Sequence, residues 1–200
     1  DSGRITFDGR DITCIEPHQA AQRGIARTFQ NIRLFSNLPV IENVVIACNI
    51  HATYGLPQAL LRLPGYRHAR KATEEKALRL LEIVGLQDRA SVLAGSLPYG
   101  NQRKLEIARA MAIDPKLLLL DEPAAGMNEE ESADLVRFIL ELHSTFDVTI
   151  LMIEHHMDVV SDLCEYCSVL NFGRTLATGT MDEIRADPQV IEAYLGGDDA

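Results

Sequence analysis

The sequence predicts an α/β protein built on a largely parallel sheet covered on both faces by helices. Three observations carry that expectation. Apolar runs of strand length alternate with amphipathic helical stretches along most of the 200 residues, the pattern of parallel strands joined by helical crossovers. One stretch, Ser96 to Pro123, joins a glycine turn and amphipathic helix to an apolar strand that ends in adjacent carboxylates, Asp121 and Glu122. The helix-rich middle, about residues 43–97, contributes no strand and reads as a helical insert.

The elements follow in order. Arg4–Phe7 and Arg10–Ile12 read as two strands around an Asp8-Gly9 turn. Ile15–Arg23 is a short helix begun at Pro17 and ended by Gly24. Ile25–Phe29 is a short strand with Gln30 at its exit, and Asn37-Leu38-Pro39 turns the chain into a helix over Val40–Cys48. Gly55 to Gly65, punctuated by Pro57 and Pro64, reads as a loop holding one helical turn. Around it Arg62, Arg67, His68, Arg70 and Lys71 form a solvated basic face or, alternatively, a contact to a partner protein. Lys71–Val84 is an amphipathic helix with Ala77, Leu80, Leu81 and Val84 on one face and Gly85 as its stop. Lys116–Pro123 is the acid-tipped strand, followed by a helix capped by Asn128 with Glu131, burying Leu135, Ile139 and Leu142. Val148–Ile153 reads as a buried strand, with Glu154-His155-His156 at its end and a helix over Met157–Leu163. Cys167–Phe172 and Thr175–Ala177 form a hairpin over Gly173-Arg174, and Thr180 with Glu183 opens a last helix interrupted at Pro188.

Composition bounds the function. Apolar residues at 46% and charged residues at 24% are ordinary for a globular domain. No apolar run approaches the roughly 18 residues of a membrane span. A formal net charge of −10 argues against a nucleic-acid surface driven by bulk charge. The 4 cysteines are too few and scattered for a disulfide scaffold. Cys164 and Cys167 form a C-x-x-C, read here as two small apolar residues rather than a metal or redox pair.

The chemistry gathers at strand ends. Carboxylates directly after a buried parallel strand lie at the sheet's C-terminal edge, where α/β proteins bind ligands. Of Asp121 and Glu122, one can hold Mg2+ through water while the other polarises a nucleophilic water; a surface D-E-P turn is the alternative. Gly100-Asn101 at a helix start offers backbone N–H groups and a positive dipole end, a seat for phosphate. His155 and Gln30 each end a strand, and a neutral amide is a reasonable Mg2+ or water ligand. Each is ambiguous alone, but together they point to one edge.

These residues resemble the nucleotide-binding subunit of ATP-binding-cassette transporters across essentially the whole chain. ARTFQ at Ala26–Gln30 looks like the Q-loop, and LPYGNQRKLEIARAMA at Leu97–Ala112 like the signature motif and its helix. LLLLDEP at Leu117–Pro123 looks like the Walker B strand, AAGMN at Ala124–Asn128 like the D-loop, and LMIEH at Leu151–His155 like the switch-histidine loop. Within the family, the Y-G signature, D-E-P-A-A-G, I-E-H and the final I-x-A-Y-L-G are most similar to the ATPases of branched-chain amino acid importers.

The resemblance implies a P-loop NTPase (RecA-like) core with a helical subdomain. The implied parts are residues 1–42 of the core, a helical signature subdomain over 43–98, the remaining core over 99–179 and a C-terminal tail over 180–200. The implied cofactors are ATP and Mg2+. Asp121 would hold Mg2+ through water, with Gln30 sensing the metal. Glu122 would be the general base, and His155 would contact the γ-phosphate. Leu97, Pro98, Tyr99, Gly100 and Asn101, with Asn128, would face an ATP held by a second ATPase subunit, homologous or identical, in a head-to-tail dimer. The implied partners are transmembrane permease subunits and, indirectly, a solute-binding protein, at the cytoplasmic face of a bacterial-type plasma membrane.

Departures accompany the resemblance. The family's usual signature is Leu-Ser-Gly-Gly-Gln, whereas Leu97-Pro98-Tyr99-Gly100-Asn101 stands here. Asn128 takes the place of the usual D-loop aspartate, and His156 that of the usual acid after the switch histidine. No G-x-x-x-x-G-K-[ST] can be assembled from the 13 glycines. The resemblance therefore implies an N-terminal truncation, with the phosphate loop and the adenine-stacking aromatic upstream of Asp1. Residues 1–200 alone are then expected to lack a central strand of the sheet and to neither bind ATP tightly nor hydrolyse it. Two alternatives stay open: a cassette protein of translation or DNA repair, and a cassette that docks without hydrolysing.

Overall fold

A computed structural model describes residues 2–51, 55–61 and 63–195. A parallel sheet organises it. Strand β3 (Ile25–Arg27) pairs with β4 (Leu117–Asp121), and β4 with β5 (Thr149–Ile153), in the order β3-β4-β5. Two antiparallel pairs flank it: β1 (Thr6–Phe7) with β2 (Arg10–Asp11), and β6 (Cys167–Asn171) with β7 (Arg174–Gly179). The helices are α1 (Pro17–Gln22), α2 (Val40–Cys48), α3 (Leu56–Leu60), α4 (Pro64–Ile83), α5 (Tyr99–Met111), α6 (Glu129–Thr145), α7 (Met157–Leu163), α8 (Met181–Ala186) and α9 (Pro188–Leu195).

Gly24 lets α1 turn into β3. It adopts φ +87°, and a Cβ there would lie 3.3 Å from the Lys116 nitrogen. Its carbonyl accepts both Lys116 N–H (2.8 Å) and Leu117 N–H (3.1 Å), which fixes where β4 starts beside β3. In register, Ala26, Leu118, Leu120, Ile150 and Met152 share one face of the sheet. The first three are buried and the last two pack against the same core.

That core is continuous. Val40, Val44 and Val45 of α2, Ala77, Leu80 and Leu81 of α4, and Leu105, Ile107 and Met111 of α5 join Leu118 and Leu120 of β4. Leu135, Phe138, Ile139 and Leu142 of α6 complete it. Each fully buried Leu, Ile or Phe contributes about 1.5–3 kcal/mol over leaving it exposed.

Four expectations change. Helix α4 starts at Pro64, where the sequence suggested a loop to Gly65 and a helix from Lys71. Proline has no N–H to satisfy at the first helical position, so it starts this helix rather than breaking it. The turn before α5 lies at Leu97-Pro98, and Gly100 sits inside the helix's first turn rather than in a glycine turn. The expected buried strand Val148–Ile153 is half open. Leu151 and Ile153 are 59% and 64% exposed, because β5 is an edge strand and no helix covers that face among the described residues. The last hairpin turns through Phe172-Gly173, at φ +45° and +76°, one residue earlier than expected.

The interruption at Pro188 is real, since α9 begins there. In the basic cluster, Arg70 pairs with Glu42 (2.7 Å) and Glu74 (2.7 Å), tying α4 to α2. Arg62 lies outside the described residues. No helix among the described residues is long and apolar enough to cross a membrane.

Candidate functional site

Because β3, β4 and β5 run parallel, their C-terminal ends share one edge of the sheet. Gln30 follows β3, Asp121 and Glu122 end β4, and His155 follows β5. The ladder reaches this edge intact: Thr28 N–H donates to the Leu119 carbonyl (2.9 Å) and Glu122 N–H to the Ile153 carbonyl (2.9 Å). At Glu122 the backbone switches to φ +43°, a left-handed conformation rare for a side-chain-bearing residue. The two adjacent carboxylates then take different partners.

Asp121 Oδ2 accepts from Arg27 Nη2 at 2.7 Å, and the aspartate side chain is 24% exposed. Glu122 Oε2 accepts from Gln30 Nε2 at 2.6 Å. Its other oxygen lies 3.9 Å from His155 Nδ1. So the structure brings Gln30, Asp121, Glu122 and His155 together, and Gln30 and His155 flank the two oxygens of Glu122.

Two residues that sequence reasoning missed support this edge. Arg27 neutralises Asp121; a basic residue at the end of β3, opposite Leu119 and two residues short of Asp121 in the ladder, was its signal. Glu154 is the other. Its side chain has 0% exposure, Oε1 accepts Ala124 N–H at 2.9 Å, and Oε2 accepts His155 N–H (2.9 Å), His156 N–H (3.2 Å) and His156 Nδ1 (3.0 Å). Burial pushes the Glu154 pKa up, but hydrogen bonds from Ala124, His156 and His155 outweigh burial and leave it below the ordinary carboxylate range. Glu154, His155 and His156 also offer ligand atoms within 4.8 Å of one another. The Glu154 oxygens are already taken by those donors, so the trio is a hydrogen-bonded support, not an open metal site. Cys164 and Cys167 are free thiols, and burial raises both pKa values, which disfavours thiolate chemistry.

The remaining predicted residues sit on a second surface. Leu97 is buried at 5% exposure and precedes α5, with Pro98 as the N-cap. The first intrahelical bond is Gln102 N–H to the Pro98 carbonyl (3.0 Å), so the N–H groups of Tyr99, Gly100 and Asn101 have no partner within the helix. A Cβ on Gly100 would meet nothing within 4 Å; that face is open to close approach. Asn128 is brought not to the carboxylate edge but to the start of α6. Its side chain accepts Glu131 N–H (2.9 Å) while Glu131 accepts Asn128 N–H (3.1 Å). A cavity of about 100 Å³ lies between these starts, lined by Pro98, Gly100, Asn101, Met127 and Glu131 among others, well under the ~300 Å³ at which ligand pockets begin. Tyr99 links the two surfaces: its hydroxyl donates to the Ala125 carbonyl (3.1 Å), three residues past Glu122.

Comparison with known proteins gives the family. The pattern of the family described as "ABC transporter" matches residues 1–125, and that described as "Branched-chain amino acid ATP-binding cassette transporter" matches residues 174–200. The high-affinity branched-chain amino acid transport ATP-binding protein BraF of Pseudomonas aeruginosa is 43% identical over 97% of this chain and 76% of its own length. LivG of Escherichia coli, of the same description, is 42% identical over the same shares. A crystal structure of an ATP-binding cassette of an ABC transporter in its ADP conformation superposes with a TM-score of 0.80 at 31% identity, covering 98% of this chain and 78% of that one.

Proposed function

The chain belongs to the ABC transporter family, as one of its ATP-binding cassettes, and we propose that it hydrolyses ATP to drive uptake of branched-chain amino acids through a membrane permease. The observation that carries this reading is the meeting of Gln30, Asp121, Glu122 and His155 at one sheet edge, with the Gln30 amide 2.6 Å from the Glu122 carboxylate. The relatives named for branched-chain amino acid transport support the cargo class.

Asp121 and Gln30 fit Mg2+. Among the described residues, Asp121 Oδ1 and the Gln30 amide oxygen carry no hydrogen bond, and hard oxygen donors suit this ion. When bound, Mg2+ offsets phosphate charge. Glu122 accepts the proton of the attacking water, and Gln30 holds the carboxylate in place for it. His155, 60% exposed, would contact the γ-phosphate of a bound ATP. Pro98, Tyr99, Gly100, Asn101 and Asn128, presented by the buried Leu97 beneath them, face an ATP bound by a second cassette, which supplies the other wall that the small cavity lacks. The reaction is in-line phosphoryl transfer to water, dominated by positioning and charge stabilisation. The assembly sits at the cytoplasmic face of the membrane, with the permease as its direct partner and a solute-binding protein beyond it.

Glu122→Gln in the complete transporter tests the central role. The amide keeps the side chain's size but cannot take a proton. ATP hydrolysis should fall at least about 100-fold, the scale of a lost general base, while the isolated full-length cassette with the same substitution accumulates as an ATP-bound dimer on size exclusion. Unchanged hydrolysis would reject Glu122 as the base.

A further inference from the structure

We infer that Arg103 is a positioning residue: with Glu106 it holds the backbone of the segment carrying Gln30 and so sets where the Gln30 amide meets Glu122. The inference rests on the proposed role of Gln30 and adds the residues that place it.

Residues 28–33 are neither helix nor strand. Past Thr28 this segment leaves the β ladder, and its backbone polar groups need other partners. Helix α5 supplies them from inside the core. Arg103 Nη1 donates to the Phe29 carbonyl and Nη2 to the Gln30 carbonyl, both at 2.7 Å. Glu106 Oε1 accepts Arg33 N–H at 3.1 Å, and Glu106 Oε2 accepts Arg103 Nη1 at 2.8 Å. The Arg103 and Glu106 side chains are 0% and 1% exposed. Three backbone groups that bracket Gln30 are therefore fixed by one buried ion pair. The Arg33 guanidinium, 4.5 Å from the Phe29 ring, adds a further contact within the segment.

Stability does not account for this arrangement. A buried ion pair is often no more stabilising than apolar side chains of the same volume. Here the Arg103 Nε also finds no partner among the described residues, an added cost. What the guanidinium provides is geometry. Its planar fork reaches two consecutive carbonyls at once, which a lysine ammonium on a flexible stem does not hold in the same way. The same guanidinium reaches the Tyr99 hydroxyl (3.3 Å), which in turn donates to the Ala125 carbonyl beyond Glu122. Arg103 thus contacts the Gln30 segment directly and the segment after Glu122 through Tyr99, the two segments whose side chains meet in the Gln30–Glu122 hydrogen bond.

The test uses steady-state ATP hydrolysis by the complete transporter. Four forms are compared with wild type: Arg103→Lys, the pair Arg103→Met with Glu106→Leu, Gln30→Ala, and the pair combined with Gln30→Ala. Removing both charges together avoids stranding one of them in the core. The pair should lower kcat about tenfold with KM for ATP within about twofold, and adding it to Gln30→Ala should cost less than about twofold more, the non-additivity of groups acting as a unit. Arg103→Lys, which keeps the charge, should show the same kcat-specific loss at about threefold and provides the reading if the pair fails to assemble. A folded pair or Arg103→Lys variant with wild-type kcat, or losses that multiply with Gln30→Ala, would overturn the inference. If Gln30→Ala itself leaves turnover unchanged, the role given to Gln30 falls and this inference with it. A tenfold loss in Gln30→Ala beside a normal pair variant removes this inference alone.

Discussion

Glu154, which the sequence placed at the end of a strand without a role, is the most consequential residue that the structure adds. A carboxylate with no exposure persists because every donor around it is aimed inward: Ala124 N–H from the segment after β4, and three donors from His155 and His156. It therefore ties the end of β4 to the end of β5. Replacing it with alanine should destabilise the protein by about 2–4 kcal/mol, since several backbone N–H groups lose their acceptor together, as read by denaturant unfolding. The pH dependence has a definite sign. A folded pKa below the unfolded one means that Glu154 contributes stability above the unfolded value of about 4.3, and that the contribution is lost as pH falls through the folded value. The stability gap between wild type and Glu154→Gln should therefore shrink on acidification below about pH 4; a gap that widened there would contradict the depressed pKa.

At the scale of elements, two helix starts with like surroundings have different chemistry. Helix α6 is closed by a capping box between Asn128 and Glu131. Helix α5 has Pro98 as its N-cap, with no side-chain cap, leaving its first N–H groups open. Asn128→Ala should lower stability by about 1 kcal/mol and Asn128→Asp should not, because aspartate caps as well and favours the helix dipole; thermal unfolding measures both. The strands differ as sharply. Leu118 and Leu151 are both strand leucines, yet Leu118 has no exposure and Leu151 is 59% exposed. Leu118→Ala should cost about 2–5 kcal/mol, as a cavity opens in the core. Leu151→Ala should cost less than about 1 kcal/mol, because little of its surface leaves water. Equal losses in urea unfolding would contradict the open face of β5.

For the whole molecule, the helical stretch and the sheet share one core, so α2, α4, α5 and the acid-tipped strand β4 are packed parts of one body. No phosphate-loop sequence occurs among the 200 residues. A polypeptide of residues 1–200 should accordingly show no Mg-ATP turnover, lacking the backbone donors and lysine that such a loop brings to the β- and γ-phosphates. Measurable phosphate release by this polypeptide would contradict that. What the sequence by itself determined was local or periodic: the acid-tipped strand, the Asn128 and Thr180 capping boxes, the amphipathic faces of α4 and α6, and the strand-end residues Gln30, Asp121, Glu122 and His155. Those signals depend on spacing within a few residues, which is why they were legible. Only the tertiary structure decided that Arg27 neutralises Asp121, that Glu154 is buried, that Arg103 holds the Gln30 segment from 73 residues away, and that one face of β5 is open. Each of these depends on which element packs against which, and that choice is made by burial over long sequence separations rather than by any local pattern.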